Sequence, residues 1–394
     1  RSTASCDAPG AIPGGAFAAS GTALRLALLG AFPVPLAQGS QVYAAGQARA
    51  LAAAGARVTL LCYGRGAGAE PPGLAVVRIP PSLSPRALRA GPSPGKPVAD
   101  AALLAAYVAA HRRRRFEAAL AHNAEAALVA IAARPLTKVP VVYVAHTLMA
   151  FELATYGPPP LGVLLEAAGR GLDRSLAGRA DGILALCGAP AAGGRGAVGP
   201  PGLDPAPDPH PTEIAHACRR AGVEPARFAL YAGNLDRYQN LAELDRAARA
   251  IPEIPVVVAT HAASRPIGDA LRVVAGATPR EVRALTFAAG VAVCPRRRPG
   301  GFPIKLLNYM EARRAIVAHA ELAEGLEHDR SAWLLDAAGA RGDLAAAIRL
   351  LVADRARAER LGRAARAHLE TRHGWTDIAR RTLALAGDPA LRRR

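Results

Sequence analysis

The stretch GGFPIKLLNYMEARRAIVA, from Gly300 to Ala318, sets a glycine turn and a lysine at the mouth of an apolar run that reads as a helix. Residues of these types in this order make an anion site. The first turn of a helix leaves backbone N–H groups unpaired at the positive end of its dipole, and glycine lets an anion approach them closely. Lys305 adds a mobile cation, whereas Pro303 has no N–H to give. Only three of the 49 basic residues are lysines, Lys96, Lys138 and Lys305, so a lysine at this turn stands out. Three other places carry residues of similar promise: Gly39 and Ser40 after the first apolar run, His146 at the end of a β-rich run, and Gly233 to Gln239 after another. Singly, each has a plainer reading as a chain reversal, a strand-end histidine or a solvated cation. Together in one cleft they would be a site.

A cleft requires elements that bring these segments together. Leu24 to Leu29 suits a buried strand, and the Gly/Pro-rich GAFPVPLAQGS follows it as a loop, with Ser40 placed to cap the helix QVYAAGQARALAAA. Gly55 stops that helix, and Arg57 to Tyr63 is β-rich, which completes a strand, helix, strand unit and implies a parallel sheet. Alternation continues through helical AALVAIAAR, the strand VPVVYVAH ending at His146, and strand-like DGILALC from Asp181 to Cys187. A stretch crowded with Gly and Pro then separates a second unit: FALYAG from Phe228, the loop NLDRYQ, a helix from Asn240, PVVVAT from Pro255 and VAVCP from Val291. AWLLD near Trp333 and an Arg/Ala-rich helical run from about Asp343 complete the pattern. The expected architecture is α/β, two Rossmann-like domains whose parallel sheets face a central cleft. Its expected boundaries are a leader without a fixed fold at 1–22, a first domain at 23–190, a linker at 191–212, a second domain at 213–375, and a C-terminal helix and tail at 376–394 that crosses back to the first domain.

Composition agrees with two cores: 394 residues, of which 51% are hydrophobic, are enough for two domains. No apolar run reaches the roughly 18 residues of a membrane-spanning helix. Five cysteines, Cys6, Cys62, Cys187, Cys218 and Cys294, are scattered without metal spacing, which fits small core residues in a reducing cytoplasm. The net charge of +18 calls for an anionic partner: a membrane surface, a phosphorylated substrate or nucleic acid. With aromatics at 4% and none interleaved with the basic runs, nucleic acid is the poorest fit. The sharpest patch, His111 followed by Arg112, Arg113, Arg114 and Arg115, ends an apolar helical stretch and reads either as a contact with an anionic membrane surface or as a solvated helix end.

From GFPIKLLNYMEARRAIVA the chain resembles the donor-site segment of glycosyltransferase family 4, retaining enzymes of the GT-B fold. GSQVYAAGQARALAAAGARVTLL is similar to that family's first loop and helix, VPVVYVAH to its donor-side histidine strand, DGILALC through Pro200–Asp204 to the approach to its linker, and Ala323–Asp336 to its late loop and strand. The resemblance runs from about Leu24 to Leu385. There are departures. Where the family carries Glu, seven residues, Glu, this chain has Gly300 and Asn308; where it carries an arginine and a lysine on the donor diphosphate, this chain has Asn234 and Gln239; a family glycine is Arg313.

The resemblance implies an acceptor domain followed by a donor domain. It implies His146 and Lys305 in the catalytic roles, Gly233, Asn234, Gln239, Gly300, Gly301, Phe302, Pro303, Ile304 and Asn308 around the donor, and Gly39, Ser40 and Gln41 on the acceptor side. The co-substrate would be a nucleotide-sugar, with no cofactor and, in the absence of a DxD motif, no obligatory metal. The partners would be a glycan or lipid-linked acceptor at the inner face of the plasma membrane. Lys305 with Arg296, Arg297 and Arg298 could replace the lost diphosphate cations, and Asn308 could still hydrogen-bond a ribose hydroxyl. Loss of both glutamates and of the basic pair also fits a relative that binds nucleotide or glycan without turnover.

Overall fold

The computed structural model describes residues 23–36, 39–64, 66, 71–85, 95–186, 196–262, 267–297 and 301–392. The leader, Arg298, Gly300 and Cys187 lie outside the described residues. Strands β1 Arg25–Gly30, β2 Arg57–Cys62, β3 Ala75–Arg78, β4 Ala118–His122, β5 Val141–Ala145, β6 Gly182–Ala185 and β7 Gly196–Val198 form one sheet in the order β3-β2-β1-β4-β5-β6-β7. Strands β8 Ala229–Ala232, β9 Val256–Ala259, β10 Arg272–Val274, β11 Val291–Cys294, β12 Ala315–His319 and β13 Trp333–Leu335 form a second, ordered β10-β9-β8-β11-β12-β13. Every pairing is parallel. Both sheets therefore reverse their winding beside their first strand, between β1 and β4 and between β8 and β11. A crevice opens at the carboxyl ends of the strands at such switch points.

The helices are α1 Gly39–Ala53, α2 Lys96–Arg114, α3 Asn123–Thr137, α4 Met149–Leu153, α5 Pro159–Arg179, α6 Pro211–Ala221, α7 Leu241–Ala250, α8 Pro279–Ala288, α9 Lys305–Glu311, α10 Leu344–Ala353, α11 Arg355–Arg372 and α12 Trp375–Gly387. They cover both faces of each sheet, so the central strands are buried on both sides and read as unbroken apolar runs. One core cluster fills the face of the first sheet beneath α2 and α3, and another a face of the second. A third is continuous from Leu26 and Tyr43 of the first domain to Phe302 and Met310 of the second. Cys62, Cys218 and Cys294 lie in these cores.

One strand is new to the pattern and three expectations change. Strand β4 is made of Ala118, Ala119, Leu120, Ala121 and His122, a composition of low strand propensity, and it forms because β1 and β5 present ladders on either side of it. The apolar run after Lys305 is not one long helix: α9 stops after seven residues, Arg313 reverses the chain in the left-handed region at φ 56°, and Ala315–His319 continues as a central strand. Arg313 thus holds a backbone conformation that suits glycine, with its guanidinium paired to Asp208. Helix α1 begins at Gly39, so Ser40 is inside the first turn rather than a cap ahead of it. Residues 196–198, within the stretch read as linker, add the edge strand β7 to the first sheet.

The chain crosses between the sheets twice, at adjacent points. Leu203 N–H donates to the His373 carbonyl at 2.9 Å, and His373 Nδ1 meets the Pro201 carbonyl at 2.7 Å. Helix α12 then lies along α1, where Trp375 packs at a tilt against Tyr43 with ring centroids 5.5 Å apart. A Cβ on Gly46 would come within 2.8 Å of the Trp375 ring, so glycine is what admits the indole. On the second-domain side the crossing is fixed by Glu311, which pairs with Arg283 at 2.8 Å and accepts from Ala206 N–H at 3.1 Å.

Candidate active site

The loop after β8 is organised by side-chain amides. Asn234 donates to Asp236 Oδ2 at 2.7 Å and to Tyr238 Oη at 3.1 Å, while its Oδ1 accepts from Gln239 Nε2 at 2.8 Å. Tyr231 Oη donates to the Asn234 carbonyl at 2.6 Å. The other amide oxygen of this chain, Gln239 Oε1, accepts from Lys305 Nζ at 2.8 Å. The ammonium also stands 3.9 Å from the centre of the Tyr231 ring. Gly233, at φ 147°, leaves room for it: a Cβ there would lie 3.1 Å from Nζ. Burial pushes the Lys305 pKa down to about 8. Two contacts of one hydroxyl with the backbone then set the depth of α9. Tyr309 Oη accepts from Ala232 N–H at 2.9 Å and donates to the Val293 carbonyl at 3.3 Å, tying α9 to β8 and β11 at the switch point.

Of the arginines before the turn, the two described ones, Arg296 and Arg297, are each held by a neighbour. Arg297 is engaged by Glu243 through two hydrogen bonds of 2.9 and 2.8 Å. Burial alone would raise the Glu243 carboxyl, yet His319 and Arg297 hold it down at about 2, so the pair stays ionised. Arg296 stacks its guanidinium over Tyr238 at 5.3 Å. Lys305 is the cation at the loop's centre. With α9 only seven residues long, the long helix dipole expected behind the glycine turn is replaced by a short one that starts at this ammonium.

Across the cleft, His146 follows β5 and is 6% exposed. The Gly301 turn of the second domain sits against its main chain. Gly301 has φ 152°, and a Cβ on it would fall well inside van der Waals contact of the His146 carbonyl oxygen and 2.8 Å from Thr147 Cγ2. Gly39 likewise faces the second domain, since a Cβ there would touch Ile304 Cγ1 at 3.4 Å. The structure therefore sets Gly39 against Ile304 and Gly301 against His146, and it groups Gly233, Asn234, Gln239 and Lys305. It turns other predicted residues elsewhere. Phe302 is buried with its ring 5.4 Å from His373 at the interdomain crossing, and Pro303 is buried. Asn308 is exposed, Ser40 half-buried and Gln41 buried in the first turn of α1. The arginines from Arg112 to Arg115 lie at the amino-terminal edge of the first sheet, opposite the cleft: Arg114 donates to Thr59 Oγ1 at 2.8 Å and the Arg115 carbonyl accepts from Arg25 at 2.8 Å.

One residue of the site is absent from the sequence reading. His122 ends β4, and Asn123 at φ 68° turns the chain at once into α3. Its Nδ1 is 2.9 Å from His146 Nε2, and the Tyr43 ring lies 5.8 Å from His122 and 5.2 Å from His146. The signal was the one used for His146, a histidine closing an apolar run, but alanine hid the strand. Burial lowers the His146 pKa to about 3; burial and then the His146 charge lower that of His122 well below its usual value. Between about pH 3 and 6.5 the native protein thus binds fewer protons than the unfolded chain, so stability rises with pH across that window and drains as the pH falls through it. By pH 5, His146 alone should remove about 2 kcal/mol. Denaturant titrations at pH 7 and pH 5 check this, and His146→Gln should shrink the difference by the His146 share while that of His122 remains.

Two parallel α/β sheets with matching switch points, crossing helices and a shared cleft define the GT-B class of glycosyltransferase fold. Residues 38–202 match the model of the Glycosyl transferase 4-like domain, and residues 220–368 that of Glycosyl transferases group 1. The chain belongs to the glycosyltransferases of the family 4 type. Solved structures share the fold at low identity. Sucrose-phosphate synthase from Thermosynechococcus elongatus superposes with a TM-score of 0.72 at 18% identity, covering 92% of this chain and 98% of that one. Anabaena HepE, in complex with UDP and glucose, gives 0.70 at 15% over 92% and 99%. WaaG, a glycosyltransferase involved in lipopolysaccharide biosynthesis, gives 0.64 at 14% over 92% and 99%. No curated protein matches the chain by sequence.

Proposed function

We propose that this glycosyltransferase moves a hexosyl group from a nucleotide-sugar to a lipid-linked or cell-envelope glycan acceptor, with retention of anomeric configuration and without an obligatory metal. The observation that carries this reading is the seating of the Gly301 turn against the His146 main chain, with Lys305 four residues on and held by Gln239. A donor diphosphate beside Lys305 would place its sugar toward His146, between the domains. HepE, of the same fold, is seen in complex with UDP and glucose, and WaaG is involved in lipopolysaccharide biosynthesis, which supports the donor and acceptor classes.

As the glycosidic bond breaks, positive charge develops at the anomeric carbon and negative charge on the departing diphosphate. Lys305 stabilises the latter, already oriented by Gln239 Oε1 and the Tyr231 face, so little reorganisation is needed. The acceptor hydroxyl attacks from the side of the leaving group and gives its proton to the departing phosphate oxygen. His146, neutral by burial, contacts the sugar rather than carrying charge. Gly39, which faces Ile304, shapes the acceptor side together with Ser40 and Gln41 beside it in the first turn of α1. The arginines from Arg112 to Arg115 are the surface through which the protein would meet an anionic bilayer on the cytoplasmic side. Among the described residues, no helix is long and apolar enough to cross a membrane.

One observation favours binding without turnover: Asn234 and Gln239, at the positions of the family's diphosphate-gripping cations, are neutral and bonded to each other, and Gly300 and Asn308 replace the two glutamates. A panel of UDP-, GDP- and ADP-sugars with glycan and lipid-linked acceptors separates the readings. Release of nucleoside diphosphate with one donor, dependent on acceptor, is the expected result. Binding with no release in any pairing would establish the second reading.

A further inference from the structure

The contact between His122 and His146 decides which hydrogen His146 can offer. Their facing nitrogens, Nδ1 of His122 and Nε2 of His146, are 2.9 Å apart, with His122 wholly buried. Both rings are neutral at neutral pH, and burial rather than a carboxylate neighbour makes them so. A neutral imidazole carries one N–H, so exactly one hydrogen occupies the contact and the tautomer of one ring dictates that of the other.

Two arrangements satisfy the distance. If His146 donated from Nε2, His122 would accept at Nδ1 and hold its own hydrogen on Nε2. That nitrogen is sealed in the core without a hydrogen-bond partner. The result would be a buried orphan donor, which is rarer in folded proteins than an under-used acceptor. If His122 donates from Nδ1, its Nε2 keeps only a lone pair in the apolar surroundings. His146 then accepts at Nε2 and carries its hydrogen on Nδ1, the nitrogen that His122 leaves open.

We propose that His122 is a positioning residue that locks His146 in its Nδ1–H tautomer, so that His146 donates a hydrogen bond to an oxygen of the bound sugar nucleotide and cannot serve as a base. The identity of that ligand rests on the function proposed above; the tautomer does not. A His146 without a free lone pair leaves the departing diphosphate as the group that takes the acceptor's proton, which is the proton route a retaining reaction without a protein base requires.

Two-bond ¹H–¹⁵N correlation spectra of the ¹⁵N-histidine-labelled protein at pH 7.5 read both tautomers directly, with His146→Gln and His122→Asn spectra for assignment. The expected pattern is Nδ1–H on both rings; Nε2–H on His146 overturns the proposal. His122→Phe keeps a ring but removes the donor. It should leave the affinity for free nucleoside diphosphate unchanged and weaken that for whichever UDP-, GDP- or ADP-sugar binds by about tenfold. His122→Asn, whose amide N–H can reach the same position, should restore most of the loss. Equal affinity of wild type and His122→Phe for the intact sugar nucleotide overturns the donor role. Should the Phe variant fail to fold, the wild-type spectrum still decides. A protein that binds no sugar nucleotide would contradict the proposed function and would leave the tautomer measurement standing.

Discussion

Replacing Lys305 with alanine should weaken nucleoside diphosphate binding by about 10- to 150-fold, because a charge-assisted hydrogen bond contributes roughly 1.5–3 kcal/mol. The more specific signature is in pH. Burial holds the free-protein pKa at about 8, and a bound diphosphate would favour the ammonium and raise it. Between those two values, binding takes up a proton, so the dissociation constant should climb about tenfold per pH unit above pH 8. A phosphate's own second ionisation, near about pH 6, is complete by then and adds nothing. Calorimetric titration from pH 7 to 9.5 checks this, using the nucleotide that binds most tightly. Lys305→Arg keeps a charge that does not titrate in this range and should flatten the profile. Affinity of the wild type that stays level to pH 9.5 would mean that the ammonium does not touch the diphosphate.

Gly301→Ala should lower turnover by at least about a hundredfold, the cost of misplacing reacting groups by around 1 Å. Two effects act together. At φ 152° an alanine is strained by roughly 1–3 kcal/mol. Its Cβ would also collide with the His146 carbonyl oxygen, a backbone atom that has no side chain's freedom to move aside. The turn must retreat, and the two halves of the site separate. Because the collision is between domains, the thermal transition should move far less than the rate. Gly276→Ala is the control: its φ of 60° carries a similar strain, but nothing lies within 4 Å of the added Cβ, so it should cost stability and leave turnover alone. Turnover of Gly301→Ala within about threefold of wild type would remove this turn from the site.

Much of this site was legible before folding was considered. Strands such as Val141–Ala145 and Val291–Cys294 are buried on both faces, and burial on both faces writes itself as an unbroken apolar run. The Gly and Pro punctuation between them marked the loops that became the switch points. Lys305, His146 and the Gly301 turn could be named because a cation, a strand-end imidazole and a glycine are chemically distinctive whatever surrounds them. Strand β4 was not legible, since alanine has no period of its own, and His122 was lost with it. Strand β12 was hidden by the helix running into it, the boundary being set by a left-handed arginine where a glycine would have announced the turn.

By itself the sequence determined that the chain is a two-part α/β protein, and which residues had the chemistry to hold a phosphate, because periodicity and residue type are local properties. Only the tertiary structure decided how they are paired. Gln239 is 66 positions from Lys305, and His122 is 24 from His146; whether such residues meet depends on strand order and helix crossing. The same packing assigned Arg297 to Glu243 and left Lys305 with a depressed pKa. Charge type is written residue by residue, but the availability of a charge depends on neighbours and burial, and both arise only when the chain closes on itself.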